Sequence, residues 1–193
     1  MNDSAQAIIE NIRVGAQYQE VDCDGYTPAE IANRIIQIAL DDGKRLTPMQ
    51  LIKLTYIAYT WYYAWKGRRL FDEKIEAWQH GPVIPSLYHE FKRFGSKEIT
   101  EFAKELDENE KLSVPDIGDS EDDMKLLGML HEVWQEYGHY SASKLRNLTH
   151  QKESPWSKAH IKGKNNYIRL EDMKVRALMK LREIKGKDAH ESI

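Results

Sequence analysis

The chain has 193 residues, of which 41% are hydrophobic and 31% charged, and its formal net charge is −3 at pH 7. This length and balance predict one globular domain with a core of its own and exclude a disordered chain. The single cysteine, Cys23, excludes an intramolecular disulfide and favours a reducing compartment. No stretch reaches the roughly 18 uninterrupted apolar residues of a membrane helix, and residues 1–19 lack the pattern of a signal peptide. We therefore expect a cytoplasmic protein that does not contact a membrane.

Two helix starts of the same kind follow one another early in the chain. Thr27-Pro28-Ala29-Glu30 combines an N-cap, a proline at the first helical position and a capping box, and predicts a helix that ends near Gly43. Thr47-Pro48-Met49-Gln50 repeats the arrangement and predicts a second helix that ends at Gly67. The second helix carries four tyrosines and is apolar nearly all round, which predicts a position at the centre of a bundle.

A small β element and another helix are predicted next. Residues Ile75–Trp78 alternate between apolar and polar side chains, which indicates a very short strand. We expect His80–Pro85 to form a rigid loop, because its glycine and prolines disfavour regular structure. A helix from Pro85 or Ser86 to Gly95 follows, and Ser96–Ser120 is expected to be an irregular acidic excursion with at most a weak strand.

The last third of the chain is again mostly helical in pattern. Ser120 and three acids start a helix that ends at Gly138, with Met124 on its buried face. Ser141 or Ser143 caps a short helix, and Ser154-Pro155-Trp156 starts a single turn. Tyr167–Leu170 predicts a short edge strand, and Glu171–Ile184 a last amphipathic helix that buries Val175.

These elements together predict a mainly α fold. We expect a compact helical bundle around a central aromatic-rich helix, with at most a small β element. The predicted organisation is an N-terminal extension (1–25), a helical domain (26–185) and a C-terminal tail (186–193).

Patterns typical of catalysis or metal binding are sparse. The seven histidines include no pair at the i, i+4 spacing of a zinc site, Cys23 has no second cysteine as partner, and GxSxG, P-loop and GxGxxG motifs are missing. His80 and His150 are candidate general bases, although a hydrogen bond that holds a turn explains each of them better. We therefore predict that the chain is not an enzyme and has no catalytic residue, metal or cofactor.

Two features of the sequence bear on a charged partner. Basic residues flank two predicted helices: Arg68, Arg69, Lys92, Arg93 and Lys97. Such a cluster would suit an acidic protein surface better than a duplex. A helix-turn-helix over Ala29–Leu51 is conceivable, but its second helix is too apolar to read bases in a major groove. We do not expect nucleic acid to be the main partner.

The stretch from Leu51 to Gly95 resembles a known family. The segments that carry the likeness are Leu-Ile-Lys-Leu-Thr-Tyr-Ile-Ala-Tyr-Thr-Trp-Tyr (51–62), Gly67–Glu73, Ile75–Val83 and Leu87-Tyr88. They are similar to the Panacea domain of phage-associated (GepA-like) and SocA-like antitoxin proteins, in which a KLxKLxY helix precedes G-x-x-L-F and E-A-W-x-x-G-P-V. Leu148-Thr149-His150 with Pro155-Trp156 is similar to the family's second motif. The likeness spans about Tyr26 to His160, and Gln50 departs from the family pattern.

The resemblance implies an antitoxin of a toxin–antitoxin system. Such a protein would neutralise a cognate toxin, encoded by an adjacent gene, through direct protein–protein binding. The alternatives are a proteolytic adaptor that delivers a toxin to a protease, a DNA-binding autoregulator, and a hydrolase that uses His80 or His150. The candidate partner-binding residues are Trp78, His80, Gly81, Pro82 and Tyr88, which alternatively form an internal lock of the fold. Met1–Gly25 and Ser96–Ser120 are further candidate partner surfaces.

Overall fold

The computed structural model describes residues 21–106, 109–161 and 164–178. The predictions for residues 1–20, for the end of the last helix and for the tail at 186–193 lie outside the described residues.

Both early helix starts are confirmed. Helix α1 spans Pro28–Asp41 and helix α2 spans Pro48–Lys66, each with a complete capping box from the preceding threonine. Helix α2 ends at Gly67, which adopts the left-handed conformation with φ 69°. These local signals lie within a few residues of one another, so the sequence alone places both helices.

The remaining elements follow in chain order. They are strands β1 (Glu76–Trp78) and β2 (Gly81–Val83), helix α3 (Pro85–Phe91) with a 3-10 turn (Lys92–Phe94), strands β3 (Glu105–Leu106) and β4 (Leu112–Ser113), helices α4 (Glu121–Tyr137), α5 (Ala142–Thr149) and α6 (Pro155–Ala159), strand β5 (Asn166–Tyr167) and helix α7 (170–178). The architecture is mainly α with a small β element, as the sequence predicts. None of the helices in the described ranges is long and apolar enough to cross a bilayer.

Helix α2 lies at the centre of the bundle. Every residue from Leu51 to Ala64 is buried. The helix packs against α1, α3, α4, α5 and strand β2, which together surround it. An amphipathic helix buries one stripe, whereas a helix covered on all sides can be apolar on all sides. The central position predicted for this helix is confirmed.

The rigid loop predicted for His80–Pro85 is wrong in part, because Gly81–Val83 forms a strand. Strands β1 and β2 pair antiparallel, and β1 also pairs with β5, which gives the strand order β2-β1-β5. Strand β2 lies at the edge of this sheet, where a proline is tolerated because no second neighbour needs its missing N–H. The predicted edge strand at Tyr167–Leu170 is shorter and earlier, since β5 spans Asn166–Tyr167 and Leu170 already belongs to α7.

The acidic excursion contains a second small sheet, in which β3 and β4 pair antiparallel. Two side chains predicted to be buried are instead exposed: Met124 by 59% and Val175 by 49%. In α4 the buried face runs through Leu126, Met129 and Leu130, so the helical phase leaves Met124 outside the core.

Candidate functional site

The β1–β2 hairpin is held to the bundle through its backbone carbonyl groups. Trp78 lies opposite Gly81, so Gln79 and His80 form the turn. Four side chains from other elements lie against hairpin carbonyl oxygens: Lys53 Nζ at 2.8 Å from Pro82, His150 Nε2 at 3.3 Å from Gln79, Trp156 Nε1 at 2.7 Å from Trp78 and His160 Nδ1 at 3.1 Å from Ala77. The hairpin backbone therefore connects α2 with the ends of α5 and α6.

Trp156, from the second motif, contacts the hairpin that the E-A-W-x-x-G-P-V motif forms. Its indole ring contacts two imidazole rings, with centroid distances of 3.8 Å to His150 and 4.5 Å to His160. The ring of His160 is nearly parallel to the indole, at 16°. Two ring contacts and the N–H donated to the carbonyl oxygen of Trp78 together hold the indole in place. The segment around His150 and Trp156 thus packs directly on the hairpin.

Gly81 is the point of closest approach in this arrangement. Its φ is +107°, which side chains rarely allow. A Cβ atom at this position would lie 2.7 Å from Lys53 Nζ and 2.9 Å from His150 Cε1. The backbone conformation therefore favours glycine, and any side chain here would force Lys53 or His150 to move.

Three basic side chains, Lys53, Arg146 and His150, lie close enough behind the hairpin to affect each other's charge. Burial, together with the charge of Arg146, lowers the pKa of Lys53 from 10.5 to about 7. Burial also lowers the pKa of His150. The hydrogen bonds with the backbone carbonyls of Arg146 and Gln79 raise this pKa, whereas the charges of Arg146 and Lys53 lower it further. Cationic groups that share a poorly solvated site each disfavour the charged form of the others.

The low pKa of Lys53 makes stability depend on pH in a defined direction. In the unfolded chain Lys53 keeps its proton up to its ordinary pKa of 10.5, whereas the folded chain releases it near pH 7. The unfolded state therefore binds more protons between these values, and stability increases with pH across this window. The quantity to compare is the difference in free energy of unfolding between the wild type and Lys53→Met, measured by urea unfolding. We expect this difference to increase between pH 7.5 and pH 10, by at most about 1.4 kcal/mol per pH unit.

Lys125→Met is the matched control, and its free energy of unfolding is measured over the same pH range. Lys125 is exposed, and a hydrogen bond to Glu121 raises its pKa above 10.5. Its proton is then bound in both states up to pH 10, so the same difference for Lys125→Met should stay constant. A constant difference for Lys53→Met as well would contradict the burial of this ammonium group.

The five predicted partner-binding residues divide into two groups. Gly81 and Pro82 are buried, whereas His80 and Tyr88 are exposed and Trp78 is half-buried. The rings of Trp78 and Tyr88 are in edge contact, with centroids 4.8 Å apart. An aromatic pair beside an exposed turn is thus available on the surface, and its role in partner binding stays a prediction.

The structure brings His80 and His150 to different surroundings. His80 lies on the exposed turn of the hairpin. His150 caps α5, and its Nδ1 lies 2.7 Å from the carbonyl oxygen of Arg146. Both ring nitrogens of His150 thus lie against backbone carbonyls, which agrees with the role in holding a turn that the sequence favours.

The predicted basic cluster is largely paired with carboxylates. The ion pairs join Arg68 to Asp22 and Asp24, Arg69 to Asp72, and Arg93 to Glu90 and Glu101. In the part of the chain that the structure describes, no group of three or more His, Cys, Asp or Glu side chains could hold a metal ion.

Comparison with known proteins decides the family. A model of the family described as "Antitoxin SocA-like, Panacea domain" matches residues 51–157. The chain belongs to this family. The Panacea match begins in α2, ends in α6, and so contains the hairpin together with Lys53, His150 and Trp156. The resemblance drawn from the sequence motifs is confirmed.

A curated Panacea relative supports the same assignment. The chain is 30% identical over 126 residues to "Antitoxin SocA" of Caulobacter vibrioides (strain NA1000 / CB15N). The aligned region covers 65% of this chain and 66% of that relative, so the chain spans about two thirds of the relative's length. No solved structure gives a significant match. Within the Panacea domain, the motif E-A-W-x-x-G-P-V is the β1–β2 hairpin, and the second motif is the segment packed on it.

Proposed function

We propose that this chain is an antitoxin that neutralises a cognate toxin by binding it directly in the cytoplasm. The observation that carries the proposal is the match of residues 51–157 to a family of antitoxins. Membership in that family implies a toxin as partner, and the likeness to an antitoxin of Caulobacter vibrioides agrees with it.

The backbone of the Panacea hairpin is engaged within the protein. Lys53, His150 and Trp156 contact the carbonyl oxygens of Pro82, Gln79 and Trp78. These contacts leave the side chains of His80 and Tyr88 exposed, so we expect the selectivity for one toxin to come from exposed side chains around the scaffold.

The test is a growth-rescue assay in a host that lacks both genes. The reading frame next to the gene of this protein is expressed alone, with the wild-type chain, and with an empty vector. We expect the neighbour to stop growth alone and to be harmless with the chain. A neighbour that is never toxic, or toxicity that the chain does not relieve, would contradict the antitoxin proposal.

The amount of toxin in rescued cells separates direct binding from the adaptor alternative. Direct neutralisation leaves the toxin at full level, as measured by immunoblot of a tagged toxin. A proteolytic adaptor removes the toxin, and rescue would then fail in a host without the protease. Rescue accompanied by loss of the toxin protein would favour the adaptor and contradict neutralisation by binding alone.

A further inference from the structure

The β3–β4 hairpin displays an exposed apolar face. Leu106, Leu112 and Val114 are exposed by 66%, 61% and 50%. Leu106 lies directly opposite Leu112 across the two strands, and Val114 follows Leu112 by two positions. Exposure alternates along the chain from Leu112 through the half-buried Ser113 to Val114, which directly follows β4, so the three side chains form one surface, the Leu106 face. Neighbouring exposed apolar side chains on a small sheet are typical of an interaction site.

The base of this hairpin is fixed to the bundle by one buried amide. Asn33 Nδ2 donates to the carbonyl oxygens of Ala103 at 3.1 Å and Pro115 at 2.9 Å, and Asn33 Oδ1 accepts from the N–H of Ala103 at 2.8 Å. Ala103 precedes β3 and Pro115 follows β4. Asn33 therefore holds both chain ends of the hairpin together, and the Leu106 face projects from an anchored base.

The surroundings of the Leu106 face are acidic. Residues 96–120 contain eight Asp or Glu and three Lys, a net charge of −5 within a chain whose total is −3. Among the described residues, Glu98, Glu105 and Glu110 take part in no ion pair.

The acidic residues near the hairpin affect the pKa of Glu30. Burial raises the pKa of Glu30 most, and the charges of Glu105, Asp123 and Asp116 raise it further, against the hydrogen bond from Thr27. The carboxylates near the base of the hairpin therefore act on Glu30 in the same direction.

We infer that the Leu106 face is the docking surface for the toxin, and that it takes a toxin segment with apolar side chains flanked by lysine or arginine. This inference rests on the proposed function. Burial of the apolar side chains supplies the affinity, whereas the acidic surroundings attract a basic segment and repel an acidic one. The exposed edges of two short strands add backbone groups that an extended toxin segment can meet.

The experiment measures binding of the full chain to the purified toxin encoded by the adjacent gene, by isothermal titration calorimetry. The variant Leu106→Gln/Leu112→Gln/Val114→Thr removes the apolar face. We expect its dissociation constant to increase by roughly 30-fold or more, because the substitutions remove most of the apolar area that a docked segment would bury. The variant Glu105→Lys/Glu110→Lys is expected to have a higher dissociation constant, and its difference from the wild type should shrink as salt is added.

The control is Met124→Gln/Val175→Thr, which changes exposed apolar residues of α4 and α7, and it should bind like the wild type. Circular dichroism establishes that each variant is folded. If the triple variant does not fold, the charge-reversal variant decides, and unchanged affinity there overturns the inference. Wild-type affinity in a folded triple variant also overturns it, while the antitoxin function stands. A wild-type chain that does not bind the toxin contradicts the proposed function itself.

Discussion

Replacement of Gly81 by alanine is expected to lower the free energy of unfolding by about 3 kcal/mol. Two effects combine in this variant. A side chain at φ +107° strains the backbone, and the new Cβ would lie 2.7 Å from Lys53 Nζ, which donates to the carbonyl of Pro82. The lysine would have to leave its hydrogen bond in a buried site. Urea unfolding followed by circular dichroism measures the change.

Gly67→Ala is the matched control for the contact at Gly81. Gly67 also has a positive φ, at +69°, but a Cβ there would meet no atom within 4 Å. This variant should therefore show the backbone cost alone, about 1 kcal/mol. Equal effects of the two substitutions would contradict the close approach of Lys53 and His150 to the hairpin.

The second large effect is expected for Asn33→Asp, which keeps the size of the side chain. The amide of Asn33 donates to two carbonyl oxygens, and a carboxylate would present oxygen to both of them in a buried site. We expect the free energy of unfolding to decrease by about 3 kcal/mol at neutral pH. Hydrogen exchange within residues 99–117 should accelerate, because the two ends of the β3–β4 hairpin lose their common anchor.

Asn147→Asp makes the same chemical change on the surface. Asn147 is exposed on α5, so this variant should change stability by less than about 0.5 kcal/mol. A similarly small effect of Asn33→Asp would show that the hairpin base does not depend on the amide.

Local sequence signals predict most of the helices. Thr27 and Thr47 each form their cap with a residue three positions away, and Gly67 ends its helix through its own backbone conformation. The apolar circumference of Leu51–Ala64 likewise predicts the centre of the bundle. Such features need no knowledge of distant parts of the chain, because each contact is made within one or two turns.

Strand β2 shows where local rules mislead. A glycine followed by a proline argues against a strand, and His80–Pro85 is accordingly predicted as a loop. The pairing of Gly81–Val83 depends on β1 and on Lys53, which donates from the central helix to a residue 29 positions away. The edge position that tolerates Pro82 follows from the strand order, and the sequence pattern does not specify that order.

The two residues that hold the hairpins are hidden from sequence reasoning for a similar reason. Lys53 stands in a helix that is apolar on nearly all sides, which is itself a sign of a buried partner, but no local pattern specifies that this partner is Pro82. Asn33 shows no pattern at all, because its partners at Ala103 and Pro115 lie 70 and 82 positions away.

Direct binding of the toxin by the chain can be seen by purifying the two proteins together. The toxin from the adjacent gene is tagged, expressed together with the untagged full chain and purified through the tag, and the product is analysed by size-exclusion chromatography with multi-angle light scattering. If the chain neutralises the toxin by binding it, a single peak contains both proteins in a fixed stoichiometric ratio. A toxin that is purified free of the chain from cells that the chain keeps growing would contradict it.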